Sequence, residues 1–344
     1  GRVVAGGGAE LVLKALKAHP ASAKVQGCAC TALGNLTHDV SSELCKRIAD
    51  LDGIGLVLQA LRSHSAEVDV QASGCMTLRN LVVGCPGRRV QFASLLSADL
   101  LLEGMQSHPG SPTLQACSME IMTLLVHDDA GFVERLTSFG AVELLLEAAR
   151  LHPCDRHVQE RSCAAVACLV KHSSDACART AQLGGVELLL AALLLHSEIA
   201  PVQAAGCLAL WACLGSGDME GTRDTIADLG GVGQVVQSLQ LHPEDVNVQE
   251  AGCAALLRLV WQSEKTQALL VAFPSSGVKP VLAAMIRHTQ DVALQRHGCA
   301  ILHQLAGSKS ESREHVLALG AVRTVLEALR THTSDAALQE WGCA

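Results

Sequence analysis

The chain has very few aromatic side chains: its 344 residues include four Phe, three Trp and no Tyr. The sequence is nevertheless 49% hydrophobic. With so few aromatic rings, the core must be built mostly from Leu, Val, Ala and Cys. Side chains of this size suit helices that pack closely against other helices. The composition therefore favours an all-helical protein.

Positive charge is also scarce, because the formal net charge is −8. No basic face indicates nucleic acid as a partner. No apolar run approaches the ~18 residues that a membrane-spanning helix needs. We therefore expect neither nucleic-acid binding nor membrane insertion.

Sequence motifs of enzymes are missing as well. The chain contains no HExxH, no GxSxG, no phosphate-binding P-loop and no paired CxxC. Gly231-Val232-Gly233 does not follow a strand, which a dinucleotide-binding loop requires. We predict that the chain is not an enzyme and that it holds no cofactor and no metal.

An internal repeat dominates the sequence. A glutamine recurs eight times at intervals of 44 to 46 residues, and a histidine precedes each glutamine by seven residues. The glutamines are Gln26, Gln71, Gln115, Gln159, Gln203, Gln249, Gln295 and Gln339. The histidines are His19, His64, His108, His152, His196, His242, His288 and His332. A period of this length is typical of helical solenoids, so we predict one array over residues 1–344 rather than two or three globular domains.

Each repeat divides into three helical segments, as the sixth repeat illustrates. A short helix over 222–229 ends at Gly230-Gly231, where glycine can adopt the left-handed conformation that closes a helix. A second helix over 232–241 ends at His242-Pro243, and the third and longest runs from Val246 to about Trp261. The residue before the third helix is a predicted N-cap. This slot holds Asp245 here and Ser22, Ser111, Asp155, Asp291 and Asp335 elsewhere, whereas Glu67 and Ile199 are exceptions.

The third helix has a predicted buried face. Three residues after the glutamine, every repeat has a small side chain, although glycine inside a helix costs about 1 kcal/mol relative to alanine. The residues in this slot are Ala29, Gly74, Ser118, Ser162, Gly206, Gly252, Gly298 and Gly342. We expect another helix to cross close to this slot. Positions three, four, seven, ten and eleven form the buried face, and positions one, five, eight, nine and twelve lie on the other side.

Fifteen cysteines would suggest a disulfide framework, but seven of them occupy one repeated slot, four residues after the glutamine. Equivalent slots in stacked repeats are on the order of 10 Å apart. This exceeds the ~7 Å limit between the Cα atoms of a disulfide. We predict that these cysteines are small buried side chains in a reducing, intracellular and cytoplasmic compartment.

The three-helix unit resembles the armadillo repeat. The matching features are the glycine pair before the second helix (Gly184-Gly185, Gly230-Gly231), the loop over 242–245 and the long-helix run over 248–256. The resemblance covers essentially the whole chain, and its HPxDxxVQExGCxAL pattern is similar to the armadillo arrays of leucine-rich-repeat kinases and of many uncharacterised protist proteins. It implies a right-handed α-solenoid whose third helices line a concave groove.

The outward stripe would then form the wall of that groove and bind a protein or peptide. The predicted binding residues are Asn35, Arg79, Asn80, Lys171, Trp211, Arg258, Trp261, His303 and Gln304. Armadillo proteins that bind extended peptides use a ladder of Asn, with Trp four residues earlier. Here the Asn is present only at Asn35 and Asn80, and the earlier slot never holds Trp. Cargo binding of the nuclear-import type is therefore not carried over to this chain.

Trp211 and Trp261 are the sharpest candidates, because Trp is enriched at binding hot spots. The alternative is that each Trp packs against the adjacent repeat, which is the more common role of a large apolar side chain. The repeated histidines are one repeat apart, so no two can share a metal ion. We predict that they bind helix-end carbonyls or supply a charge that complements the helix dipole. We predict that the repeated glutamine is a buried amide bonded to a neighbouring loop or helix.

We therefore expect an interaction scaffold that binds a partner segment, or another part of its own chain, along the groove. An alternative is a regulatory segment of a larger multidomain enzyme, such as a kinase, with catalysis outside this sequence. This alternative depends on the incomplete terminal repeats and on Gly1 in place of an initiator Met, which suggest a fragment.

Overall fold

The structure is a computed structural model of the chain that describes residues 7–38, 42–89, 98–126, 130–215, 219–273 and 276–344. Secondary structure in these ranges is helical throughout, with no strand. The helices form two compact units, residues 1–176 and residues 177–344. Four of the eight repeated glutamines lie in each unit.

Unit 1 (residues 1–176) contains the first four repeats. Its helices are α1 (Gly8–Ala18), α2 (Ala23–His38), α3 (Ser42–Asp50), α4 (Gly53–Ser63), α5 (Val68–Gly84), a 3-10 helix (Pro86–Arg88), α6 (Ala98–Ser107), α7 (Pro112–Val126), α8 (Ala130–Ser138), α9 (Ala141–Leu151) and α10 (Arg156–His172). The long third helices are α2, α5, α7 and α10, and each packs against the next.

Unit 2 (residues 177–344) contains the last four repeats. Helix α11 (Ser174–Gln182) begins just before the boundary. The remaining helices are α12 (Gly185–Leu195), α13 (Ala200–Cys213), α14 (Met219–Asp228), α15 (Gly231–Leu241), α16 (Val246–Val260), α17 (Glu264–Ala272), α18 (Val278–Arg287), α19 (Val292–Ala306), α20 (Ser310–Ala318), α21 (Ala321–Thr331) and α22 (Ala336–Cys343). The third helices α13, α16, α19 and α22 again pack in sequence order.

The predicted all-α solenoid of three-helix repeats is confirmed within each unit. In the sixth repeat, the third helix α16 begins at Val246, as the sequence predicts. Asp245 caps this helix, because its Oδ1 accepts from the N–H groups of Asn247 and Val248 at 3.0 and 3.1 Å. Glu67 and Ile199, the exceptions in this slot, make no side-chain cap bond.

The repeated glutamine ties the third helix to the end of the second. In the sixth repeat Gln249 Nε2 donates to the carbonyl oxygens of Leu239 and His242, both at 2.9 Å. The same two bonds occur in every repeat, at distances of 2.7 to 3.2 Å. Carbonyls at a helix end have no partner within their own helix, so the glutamine supplies one. The predicted buried amide is confirmed.

The repeated histidine connects one repeat to the preceding one. Within unit 2, His242 Nε2 lies 2.6 Å from the carbonyl oxygen of Ser197, and His288 Nε2 lies 2.9 Å from that of Pro243. Because a carbonyl oxygen can only accept, Nε2 carries the proton. The carbonyl belongs to the residue after the previous repeat's histidine, so the ring reaches a neighbouring loop. The prediction of a structural carbonyl bond is confirmed, but the acceptor is not the end of the histidine's own helix.

The small slot of the third helix faces the second helix of the same repeat. A Cβ on Gly252 would lie 2.6 Å from Leu239 Cδ2, and a Cβ on Gly206 would lie equally close to Leu193 Cδ2. Leucine three residues before the repeated histidine thus occupies the space that the missing side chain leaves. The predicted close crossing is therefore present, with the second helix as its partner.

Left-handed residues close the first helix of most repeats, as the glycine pair predicts. Gly184 has φ 70° and Gly230 has φ 77°. The equivalent slot in two other repeats holds Asp52 with φ 61° and Ser276 with φ 69°. The backbone of these two residues is in the left-handed conformation, which normally costs a non-glycine residue about 1–2 kcal/mol.

The described parts of the chain include no single helix that is long and apolar enough to cross a bilayer. Only α11 and α12 taken together, across a bend of 74°, reach that length and composition.

Candidate protein-binding surface

Unit 1 carries an open groove of about 1070 Å³ along its first long helices. Its walls are α2 and α5, with Ser111 and Thr113 at the end near α7. Its lining includes both apolar and polar side chains, among them Met76, Thr31 and Ser73. An open, mixed surface of this kind suits an extended polypeptide more than a small molecule, which binds in an enclosed cavity.

The predicted residue Asn35 lies on the wall of this groove and is exposed. Its neighbour one helical turn earlier, Thr31, is exposed as well, and Met76 on the facing helix is half-buried. The structure therefore places Asn35 where its amide can reach a bound chain.

Asn80 differs from the prediction, because it is buried, with 5% of its surface exposed. Its Nδ2 donates to the carbonyl oxygen of Gly34 at 3.0 Å and to Thr37 Oγ1 at 3.2 Å. Both acceptors belong to the preceding long helix, α2. Asn80 thus joins two repeats and has no free amide for a partner.

Asn80 lies nine residues after the repeated glutamine, and other residues in this slot are also buried instead of lying on the groove wall. Cys168 and Ala212 in this slot are buried, with exposures of 7% and 4%. With Asn80, three of the seven residues in this slot are buried, whereas Asn35 is exposed and the other three are half-buried. The sequence pattern missed this because periodicity within one helix does not show how the next repeat crosses it.

Arg79 lies at the centre of an ion-pair cluster in unit 1. Its Nε donates to Glu120 Oε2 at 2.8 Å, and Arg161 Nε lies 3.4 Å from the same oxygen. Arg79 Nη1 also donates to Asn80 Oδ1 at 2.9 Å. These contacts link α5, α7 and α10, so Arg79 is satisfied within the chain. A partner that used Arg79 would have to compete with Glu120.

In unit 2, Trp211 and Arg258 form a stacked pair. The guanidinium carbon of Arg258 lies 4.4 Å from the centroid of the Trp211 ring, within the range of a cation–π contact. Both side chains are half-buried. Trp211 therefore packs against the next repeat and also keeps a part of its surface open.

Trp261 lies in an aromatic group with Trp341 and His303. The two indole rings are 5.5 Å apart at 88°, an edge-to-face contact, and the His303 ring lies 5.5 Å from Trp341. Gln304 Oε1 accepts from the backbone N–H of Gln262 at 3.1 Å. The structure thus brings three predicted residues, Trp261, His303 and Gln304, to the ends of α16 and α19.

Two further residues remain: Trp341, which the sequence did not predict, and Lys171, which was predicted but belongs to none of these side-chain clusters. Trp341 was not predicted, because it lies two residues after Gln339, in a slot to which the outward stripe assigned no role. Its contact with Trp261, which lies two repeats earlier, has no local signal in the sequence. Lys171, which was predicted, is exposed on α10.

Burial shields most of the cysteine thiols. Burial raises the pKa of the thiols of Cys30, Cys75, Cys207 and Cys253 to about 12, so these groups stay protonated. All fifteen cysteines are free, and most of the repeated slot is buried, while Cys343 is exposed. No group of His, Cys, Asp and Glu in the part of the chain that the structure describes could hold a metal ion.

Comparisons with known proteins address the fold. No protein-family model matches the chain, and no curated protein matches it. Two engineered proteins of known structure match with TM-scores of 0.59 and 0.60, each at 20% identity over 72% of this chain and 94% and 96% of theirs. A chain from a study of a phosphorylation switch in the cadherin–β-catenin interaction matches with a TM-score of 0.64, at 14% identity over 96% of this chain and 74% of that one.

β-Catenin is an armadillo protein, so this likeness agrees with an armadillo-like fold. Identities of 14 to 20% relate folds and not activities. The comparisons therefore show an all-helical repeat solenoid.

Proposed function

We propose that this protein is an interaction scaffold that binds a segment of another protein, or of a longer version of its own chain, across its long third helices. The observation that carries the proposal is the groove between α2 and α5, an open surface lined by both apolar and polar side chains. A partner segment would bind with little ordering cost on the protein side, because stacked helices already fix the groove wall.

We further propose that the protein has no catalytic activity and works in a reducing, intracellular compartment. Fifteen free cysteines, most of them buried, support the reducing compartment. The likeness to a β-catenin chain supports a protein partner, since cadherin and β-catenin interact.

The proposal can be tested by selecting binders from random linear peptides of about twelve residues on the full chain. At about 3.4 Å per residue, such a peptide spans roughly four long helices. Selected peptides are then measured against Met76→Glu, which places a charge in the groove, and against Trp211→Ala and Trp261→Ala. Leu194→Glu is the matched control, because Leu194 is 63% exposed on the second helix α12.

We expect at least one groove variant to weaken a given peptide by about tenfold, the size of a hot-spot loss. Leu194→Glu should leave the affinity unchanged, and all variants should retain the helical circular dichroism spectrum of the parent. The proposal fails if no peptide is selected, or if the control weakens binding as much as the groove variants.

A further inference from the structure

Arg258 is a half-buried arginine on a long helix, and it differs from the three other half-buried or paired arginines there. Arg156, which also lacks an ion pair among the described residues, is exposed. Arg79, Arg161 and Arg296 each face a carboxylate of a neighbouring repeat: Glu120, Glu120 and Asp335. Arg258 has no ion pair with any residue that the structure describes. Its guanidinium is nonetheless half-buried, and burial lowers its pKa. A half-buried cation without a counter-ion is unfavourable unless a partner supplies one.

The position of the Arg258 guanidinium is fixed on two sides. One face stacks on the Trp211 ring at 4.4 Å. On another side it lies against the backbone of Gly215, where a Cβ would come 2.1 Å from Nη1. Any side chain at residue 215 would displace it. A planar, stacked guanidinium keeps its remaining N–H groups directed outward, which is the arrangement that recognises a carboxylate through two parallel bonds.

His297 on the neighbouring helix α19 adds a second unsatisfied polar group. Its Nδ1 is buried without a hydrogen-bond partner. Burial lowers the pKa of His297, and the positive charges of Arg296 and Arg258 lower it further, against an opposing effect of Asp291. The lowered pKa favours the neutral imidazole, so His297 adds little positive charge, and the charge of Arg296 is paired with Asp335.

Apolar side chains flank Arg258 on both sides. Leu208 lies one turn before Trp211 on α13 and is 44% exposed. Trp261 lies three residues after Arg258, on the same side of the helix end, and is half-buried in the aromatic group. One cationic position between two apolar positions complements a chain with an acidic residue between apolar residues.

We propose that Arg258 is the anion-recognising position of unit 2, and that the partner segment bound there is an acidic peptide whose Asp or Glu carboxylate pairs with Arg258. This inference rests on the proposed function, because it names the chemistry of the segment that the long helices bind. It adds a requirement that the general scaffold does not make: the peptide must carry a negative charge at one position.

The test uses the peptides selected from the random library and compares Glu→Gln or Asp→Asn substitutions at each acidic position. On the parent protein, one such substitution should lower affinity by about tenfold or more, since loss of one partner leaves the other charge unpaired. On Arg258→Gln the same substitution should change affinity less than about twofold. Arg287→Gln is the control, because Arg287 lies on the second helix α18 and pairs with Glu244 of the loop before α16.

The outcomes separate the two proposals. Peptides that bind the groove but show no acidic requirement, or lose nothing on Arg258→Gln, overturn the role of Arg258 and leave the scaffold standing. A failure to select any peptide overturns the scaffold and this inference together. If Arg258→Gln does not fold, the substitutions in the peptide still decide, because they are measured on the parent protein. The affinity of the parent protein for an acidic peptide should also fall as the salt concentration is raised.

Discussion

Single polar side chains connect the helices of this protein at defined points. The repeated glutamine satisfies two carbonyls at the end of the second helix, and the repeated histidine bonds to the loop of the preceding repeat. Both are buried or partly buried polar groups with matched partners, and such groups are costly to leave unpaired. Their recurrence therefore reflects packing between helices and between repeats.

Gln249→Leu tests this role at one residue. Gln249 is 1% exposed, so leucine removes both hydrogen bonds and leaves the Leu239 and His242 carbonyls without their partner. We expect a loss of about 1–3 kcal/mol in the free energy of unfolding, measured by urea denaturation. The control is Gln237→Leu on the exposed side of α15, which should change stability by less than about 0.5 kcal/mol. Equal stabilities for the two variants would contradict the account.

Residue patterns predicted the local structure more completely than they predicted the surface. The slots of Gln249, Asp245 and Gly230 each have one physical reason, and the structure shows each in its expected place. Asn80 was misplaced because its burial depends on Gly34 and Thr37 of the preceding helix. The pattern of one helix contains no information on that crossing. Trp341 was missed for the same reason.

At the scale of the element, each third helix packs on its own second helix and on the neighbouring third helices of the same unit. The small slot makes the first of these contacts possible, because leucine from the second helix fills the space above Gly206, Gly252 and Gly342. This contact explains why glycine is retained inside a helix at a cost of about 1 kcal/mol.

Gly252→Val tests the close crossing. Its Cβ would lie 2.6 Å from Leu239 Cδ2 and 3.2 Å from Leu239 Cγ, so the second helix must shift or Leu239 must leave its position. Overpacking of this kind typically costs about 1–3 kcal/mol, measured as a lower midpoint of denaturation. Gly307→Ala is the matched control, because the nearest atom to its Cβ lies 3.5 Å away. A stable Gly252→Val variant would show that the two helices do not meet there.

At the scale of the whole molecule, the chain is built of repeats whose cysteines line the interior without pairing. Fifteen free thiols in 344 residues would be a hazard on the surface, but only Cys28, Cys154 and Cys343 are exposed. Eleven of the others are buried and Cys117 is half-buried. Burial raises the pKa of several of these thiols to about 11 or 12.

Thiol titration under native conditions tests this arrangement. We expect three cysteines to react rapidly with a disulfide reagent at neutral pH, because the reagent needs both access and thiolate. The remaining thiols should react only after denaturation, and mass spectrometry should assign the fast group to Cys28, Cys154 and Cys343. Rapid reaction of Cys75 or Cys253, which are almost fully buried, would contradict the packing.

The central claim is that a polypeptide segment binds on the surface of the long helices, and site-specific photo-crosslinking tests it most directly. A benzophenone amino acid is placed at position 76 in the groove or at position 194 on the second helix α12, and a selected peptide is added. The account predicts a crosslinked peptide from position 76 and none from position 194. Crosslinking from position 194 alone, or equal yields from both positions, would contradict it.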